Sequence, residues 1–173
     1  MITDSQTHVV FISDRLGKCY PQIAGALESI FGNNLKIIPD TKDIWARDYM
    51  PIQIDTDRFV QFRYEPDYLK REANLRTENA SDLIGLANCQ RSDLNIDGGN
   101  IVRWSDAVVM TEKIYKENRS VKRPQLRRQL QKILGVERLI VIPMEPGDYI
   151  GHADGMVRFG PVQKQLRVFM GHW

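Results

Sequence analysis

Between Gly151 and Gly155, a histidine and a carboxylate, His152 and Asp154, alternate with small residues. In an extended segment, positions two apart share a face, so we expect these two side chains to point the same way. Imidazole titrates near neutral pH while aspartate stays charged, so the pair suits proton transfer beside a positively charged substrate. The alternative is a histidine at a strand end with a neighbouring surface acid.

Charges and aromatic rings are dense in residues 41–51, a stretch that ends at a proline. If this stretch is extended, Trp45 and Arg47 lie on one side and Asp48 lies on the other, where it can face a pocket. The alternative is an ion-paired loop in which Asp43 or Asp48 pairs with Arg47 and Trp45 covers the edge of the core.

A third carboxylate, Asp97, stands directly before two glycines and Asn100. Paired glycines allow a backbone to turn or to approach a ligand closely. An Asp-Gly step between apolar runs is also a strong signal for a β-hairpin, which is the alternative interpretation. Apolar residues on both sides would bury Asp97 near the core, and a buried acid needs a partner.

In chain order, these segments read Asp-Ile-Trp-x-Arg-Asp-Tyr-x-Pro at 43–51, Asp-Gly-Gly-Asn-Ile at 97–101 and Gly-His-x-Asp-Gly at 151–155. Together they resemble the agmatine deiminase and bacterial (Porphyromonas-type) peptidylarginine deiminase family of the guanidine-modifying superfamily. The resemblance runs from about Leu35 to Phe159. It implies an α/β fold, a partial five-bladed α/β propeller (the pentein fold) whose ββαβ units surround a central polar site.

The resemblance also implies roles for individual residues. A guanidinium is planar, charged and donates in a fork, so a site that selects it needs carboxylates. Asp48 and Asp154 would grip the guanidinium, and His152 would act first as general acid and then as general base. Asp97, where the family usually has glutamate, would orient His152 or add a contact to the substrate. These four are the candidate catalytic residues, and the same motifs supply further substrate-binding candidates: Trp45, Arg47 and Asn100.

The nucleophile of the family is a cysteine near the C-terminus, beyond the His-x-Asp motif. The cysteines of this chain are Cys19 and Cys89, and neither matches that position. Because a thiolate attacks the guanidino carbon in this chemistry, we expect the chain as printed not to turn over. The expectation is a single deiminase-family domain over residues 1–173 that is truncated at its C-terminus, with a non-catalytic guanidinium-binding derivative as the alternative.

For the complete protein, the resemblance implies hydrolysis of agmatine to N-carbamoylputrescine and ammonia, a step of putrescine and polyamine biosynthesis. Peptidyl or free arginine is the alternative substrate. The stretch Phe62–Leu69 differs from the corresponding stretch of agmatine enzymes, although Glu65 or Asp67 could receive an ammonium group.

Composition excludes several other classes. A net charge of +2 indicates no special partner, and no apolar run reaches the length of a membrane span or a signal peptide, so we expect a cytoplasmic protein.

The basic segment from Arg119 to Arg138 has an apolar stripe, which favours a solvated helix face over a nucleic-acid site. A metal site at His152, Asp154 and Asp148 is a further alternative, although one histidine and two acids make a thin ligand shell. We therefore expect a small guanidino substrate and no cofactor, with homo-oligomerisation left open.

Strands and helices alternate along the chain. Apolar runs predict buried strands at 9–13 and 35–38, and further strands at 52–54, 59–64, 107–110, 138–142 and 166–170. Spacing and stop signals predict helices at 20–31 and from Pro124 to Gly135, with partly helical structure at 68–87. No internal repeat is visible, so the propeller expectation rests on the resemblance alone.

Overall fold

A computed structural model describes residues 7–159 and the backbone of residues 166–168. The first unit is a parallel pair of strands joined by helices: β1 (Val10–Ser13), α1 (Asp14–Cys19), α2 (Pro21–Phe31) and β2 (Leu35–Ile38). The helix predicted at 20–31 is confirmed as α2. It starts at a proline, whose missing N–H is not needed there, and it ends at Gly32.

The prediction that both strands of this first unit are buried is wrong. Ile37 of β2 is 63% exposed, although Ile38 is fully buried. The physical reason is thin coverage, since neither α1 nor α2 contains a buried residue. Cys19 is the last residue of α1.

The second unit comprises β3 (Ile52–Asp55), β4 (Arg58–Arg63), α4 (Ala80–Leu83) and β5 (Cys89–Asn95). Strand β4 lies in the middle, antiparallel to β3 and parallel to β5. The predicted partly helical stretch contains α4 and two short 3₁₀ turns. Strand β5 was not predicted, because its sequence Cys-Gln-Arg-Ser-Asp-Leu-Asn is mostly polar and its pairing with β4 is a long-range contact.

The third unit repeats the same topology with β6 (Val102–Trp104), β7 (Ala107–Thr111), α5 (Lys113–Glu117), α6 (Arg123–Leu134) and β8 (Arg138–Ile142). Strand β7 is antiparallel to β6 and parallel to β8. The predicted helix is confirmed as α6, and it ends at Gly135, which adopts a left-handed conformation with φ of +64°.

The core of the molecule lies between the second and third units. Helix α6 buries Leu126, Leu130 and Leu134 completely, against apolar side chains of β4, β5 and β7. A smaller cluster around Tyr49 and Tyr64 packs beside the second unit. These two clusters support the elements from which the polar residues of the candidate site project.

A fourth set of strands follows, in which β9 (Val157–Phe159) is antiparallel to β10 (Leu166–Val168). The predicted strand at 166–170 is confirmed over 166–168, while residues 169–170 lie outside the described residues. Within the described part of the chain, the strands form four separate sheets and no closed sheet. The structure therefore contains ββαβ units but not a complete propeller.

Candidate active site

Asp48 projects from α3 (Ala46–Tyr49), a single helical turn. The extended conformation considered from the sequence is therefore wrong for this stretch. Met50 N–H donates to the carbonyl of Ala46, and Tyr49 is buried beneath the turn, which favours helical geometry. Trp45 precedes the turn and is 66% exposed, so it does not cover the edge of the core.

Asp97 lies two residues beyond the end of β5 and directly before a 3₁₀ turn over Gly98–Asn100. The hairpin alternative is wrong, because β5 and β6 on either side of the turn belong to different sheets. The predicted burial of Asp97 is confirmed, since its side chain is 0% exposed. The turn packs closely on α3, where a methyl group on Gly98 would overlap the carbonyl oxygen of Arg47.

Gly99 joins two segments of the site through its backbone. Its N–H donates to Oδ1 of Asp48 at 3.1 Å, and its carbonyl accepts from the N–H of Asp154 at 3.1 Å. A methyl group on Gly99 would overlap Oδ1 of Asp48 and Nδ1 of His152. The paired glycines thus allow the close backbone approach expected of them.

His152 and Asp154 lie in a loop before β9, not in a strand, so the predicted alternation of faces does not apply to them. Gly151 adopts a left-handed conformation with φ of +73°, and its carbonyl accepts a hydrogen bond from Thr111 Oγ1 at 2.5 Å. Ala153 is fully buried. These contacts anchor the loop and direct His152 towards Asp48 and Asp97.

The imidazole of His152 lies between two carboxylates. Its Nε2 is 2.9 Å from Oδ2 of Asp97, and its Nδ1 is 3.6 Å from Oδ1 of Asp48. Burial lowers the pKa of His152, but the hydrogen bond to Asp97 and the charges of both aspartates outweigh it, so this pKa lies above the usual value. The edge of the ring also faces Tyr68, with ring centroids 6.0 Å apart.

The carboxyl group of Asp48 binds a proton more tightly than an ordinary aspartate does. Burial raises the pKa of this carboxyl to about 6, against the lowering effect of His152, and the nearby charges of Asp97 and Asp154 raise it further. Because burial and these neighbouring charges disfavour the ionised form of Asp48, a cation placed beside this carboxylate would stabilise it.

Asp154 forms an ion pair with Arg47, with Nε of Arg47 2.8 Å from Oδ2 of Asp154. The sequence-based alternative, in which Arg47 pairs with Asp43 or Asp48, is therefore wrong about the partner, which is Asp154. The guanidinium of Arg47 also donates to the carbonyl of Ile101. A cleft of about 950 Å³ adjoins this side of the site and is lined by Arg47 and Asp154, but not by His152 or Asp48.

Asn100 is buried, and its side-chain oxygen accepts a hydrogen bond from the N–H of Thr111 at 2.8 Å. Its position inside the fold gives it a role in holding the turn against β7. The substrate contacts expected for Asn100, Trp45 and Arg47 remain predictions.

Sequence analysis missed Lys113 and Glu117, which lie behind Asp97. Nζ of Lys113 is 2.5 Å from Oδ2 of Asp97 and 3.7 Å from Oε1 of Glu117. The available signal was a lysine two residues after an apolar strand with a glutamate four residues later, a spacing that places both on one helix face. Burial raises the pKa of Glu117 to about 7.

Neither cysteine belongs to this cluster. Cys19 is exposed at the end of α1, and Cys89 stands at the start of β5, where its thiol lies near the carbonyl of Gln90. Among the described residues, no group of three histidine, cysteine or acidic side chains is arranged to hold a metal ion. None of the helices in the same part of the chain is long and apolar enough to cross a membrane.

Comparison with solved structures defines the class of fold. An agmatine deiminase from C. jejuni with substrate bound is 16% identical over 86% of this chain and 58% of that chain, with a TM-score of 0.60. An agmatine deiminase of Enterococcus faecalis is 17% identical over 87% and 44%, with a TM-score of 0.58. A dimethylarginine dimethylaminohydrolase is 13% identical over 87% and 65%, with a TM-score of 0.52. The chain therefore has a mixed α/β fold of the type found in these proteins.

The family follows from the sequence itself. The family model of Porphyromonas-type peptidyl-arginine deiminases matches residues 2–167, so the chain belongs to that family. No curated protein matches the chain. The chain spans about half the length of the solved structures that it matches, with 47% and 58% coverage of two of them.

Proposed function

We propose that this chain carries the guanidinium-binding and proton-transfer residues of a guanidino deiminase. The observation that supports the proposal is the position of His152 between Asp48 and Asp97, next to the carboxylate of Asp154. This arrangement has acceptors for a planar cation and a titratable imidazole in contact with them. Oδ1 of Asp97 is buried without a hydrogen-bond partner among the described residues, and a substrate N–H would satisfy it.

In the complete protein, we infer a five-bladed propeller and covalent catalysis by a cysteine thiolate. The thiolate attacks the guanidino carbon, and His152 donates a proton to the departing ammonia. His152 then takes a proton from the water that attacks the amidino thioether. Asp48 and Asp154 hold the substrate cation during both steps. The similarity of this chain to solved structures about twice its length supports the inference of a longer complete protein.

Agmatine is the first candidate substrate, with conversion to N-carbamoylputrescine and ammonia. Arginine, free or in a peptide, is the second, and the family match to peptidyl-arginine deiminases favours it. The two differ at the end remote from the guanidinium, where arginine carries a carboxylate or an amide and agmatine carries an ammonium.

Binding to the chain as printed tests the first part of the proposal. We expect agmatine and arginine to shift the imidazole signals of His152 in an NMR titration, whereas putrescine, which has an amine in place of the guanidinium, should not shift them. Asp48→Asn should weaken guanidinium binding by about tenfold or more, because it removes a charged acceptor from a buried site. Absence of any shift with either guanidino compound at tens of millimolar would contradict the proposal.

Turnover tests the second part. A longer form of the protein that includes the cysteine should release ammonia from agmatine or arginine. His152→Ala and Asp154→Asn should abolish the release, while Arg128→Ala, on the exposed face of α6, should leave it nearly unchanged. A folded longer form that releases no ammonia from either compound would show that the chain binds guanidinium without catalysis.

A further inference from the structure

Lys113 is a buried ammonium directly behind the candidate site. It is the first residue of α5, and its side chain is only 2% exposed. Transfer of an isolated ammonium from water into a protein interior is costly, so such a group is kept only with partners that balance its charge.

Three groups surround this ammonium. Oδ2 of Asp97 is 2.5 Å from Nζ, Oε1 of Glu117 is 3.7 Å away, and the ring centroid of Tyr68 is 4.3 Å away. Glu117 is itself held, since its Oε1 accepts from the backbone N–H of Asp67 at 2.9 Å. The closest partner by far is therefore the carboxylate that also contacts His152.

Lys113 and His152 bind the same oxygen of Asp97. Oδ2 receives both Nζ of Lys113 and Nε2 of His152, whereas Oδ1 has no partner among the described residues. An ionised carboxylate only accepts hydrogen bonds, so Nε2 must carry a hydrogen to make this contact. In the neutral imidazole, Nδ1 is then the free acceptor on the side of Asp48.

We propose that Lys113 is a positioning residue for His152, which fixes the Asp97 carboxylate so that Nε2 of the imidazole is protonated and Nδ1 faces the guanidinium site. This inference rests on the proposed function. It extends that function by assigning a role to a buried side chain that reaches the imidazole only through the carboxylate of Asp97.

The charged groups that face His152 come from several elements. Asp48 lies on α3, Asp97 precedes the 3₁₀ turn, and Asp154 lies on the loop of His152 with its partner Arg47. Lys113 and Glu117 lie on α5 behind Asp97. Lys113 is the cation on the Asp97 side, and its charge lowers the pKa of His152. Its removal should therefore raise that pKa.

The experiment is a pH titration of the chain followed by ¹⁵N NMR of the imidazole nitrogens, with the His152 signals assigned by their loss in His152→Ala. In the unchanged chain, the neutral ring should carry its hydrogen on Nε2. Lys113→Met should raise the pKa of His152 and reduce the preference for the Nε2–H form. Lys113→Arg keeps the charge, so the pKa of His152 and its preference for the Nε2–H form should stay close to those of the unchanged chain.

Lys116→Met is the matched control, because Lys116 lies on the same helix but is exposed and contacts Met144 instead of the site. If Lys113 only stabilises the fold, Lys113→Met and Lys116→Met will show the same His152 titration, and that result would overturn the proposal. If Lys113→Met does not fold, the test is which nitrogen of the neutral His152 ring carries the hydrogen in the unchanged chain. A hydrogen on Nδ1 there would contradict the proposal. Guanidinium binding is measured separately, so its absence would count against the proposed function and not against the role of Lys113.

Discussion

Asp48 is the residue in which the electrostatics of the site can be tested most directly. Burial raises the pKa of its carboxyl to about 6, and the ionised form is the one that binds a cation. Because a rise in pH through about 6 ionises Asp48, guanidinium affinity should increase over that range and then level off. Titrations with agmatine between about pH 5 and pH 8 would measure this dependence.

The control for this prediction is Asp48→Asn, in which the amide cannot ionise. The guanidinium affinity of that variant should depend only weakly on pH. The remaining dependence should follow the deprotonation of His152, because loss of that positive charge also favours a bound cation. An affinity in the unchanged chain that falls with rising pH would contradict the assignment of Asp48 as a substrate carboxylate.

Gly99 offers a steric test at the same scale. In Gly99→Ala, the methyl group would overlap Nδ1 of His152 and Oδ1 of Asp48, so both side chains must move. We expect guanidinium binding to fall by about tenfold or more, since displaced charged groups lose their geometry. The measurement is agmatine binding together with the His152 titration.

Gly25→Ala is the matched control for that substitution. Gly25 lies within α2, and a methyl group there meets no atom within 4 Å. This change should leave binding intact and stabilise the helix by about 0.5 to 1 kcal/mol, because glycine is a poor helix former. Equal binding by the two variants would count against the close approach of Gly99 to the site.

At the scale of elements, α6 joins the second and third units. Leu130 is fully buried in the main core, and Arg128 on the same helix is exposed. Leu130→Ala should lower the free energy of unfolding by about 2 to 5 kcal/mol through lost apolar contact and a remaining cavity. Arg128→Ala should change it by no more than about 0.5 kcal/mol. Urea denaturation of both variants measures the difference, and similar midpoints would contradict the packing of α6.

Elements with strong local signals were predictable, and those that depend on distant pairing were not. Helices α2 and α6 carry a proline near the start and a glycine at the end, which are local features. Strand β5 is polar and short of local signals, and it exists because β4 pairs with it. The turn of α3 was also missed, since its four residues are too few for a helical period to appear.

At the scale of the whole molecule, several buried groups bind protons more tightly in the folded state than in the unfolded chain. Burial raises the pKa of Asp48 to about 6 and that of Glu117 to about 7, and the pKa of His152 is also raised despite its burial. All three changes have the same sign. The folded state therefore holds more protons, and stability must fall as pH rises through these values.

We expect the free energy of unfolding to drop by a few kcal/mol between about pH 5 and pH 8. Urea denaturation at several pH values would measure it. Asp48→Asn and Glu117→Gln should each flatten the dependence, whereas Asp57→Asn, in the exposed turn between β3 and β4, should not. Stability that rises with pH over this range would contradict the burial of these groups.

The sequence by itself determined which side chains are candidates for the site and in which order they occur. Asp48, Asp97, His152 and Asp154 stand out because their neighbours are glycines, aromatic residues and opposite charges, and the family resemblance relates them to one chemistry. The α/β class and the confirmed helices and strands also follow from local patterns of apolar residues, prolines and glycines.

Only the tertiary structure decided which atoms meet. Asp48 and Asp97 approach His152 from segments that are separated by dozens of residues, through the backbone of Gly99 and the loop at Gly151. The pairing of Lys113 with Asp97, and of Arg47 with Asp154, depends on the same docking. Charges interact over a few ångströms, and their pKa values depend on burial, so both properties arise only when distant segments pack together.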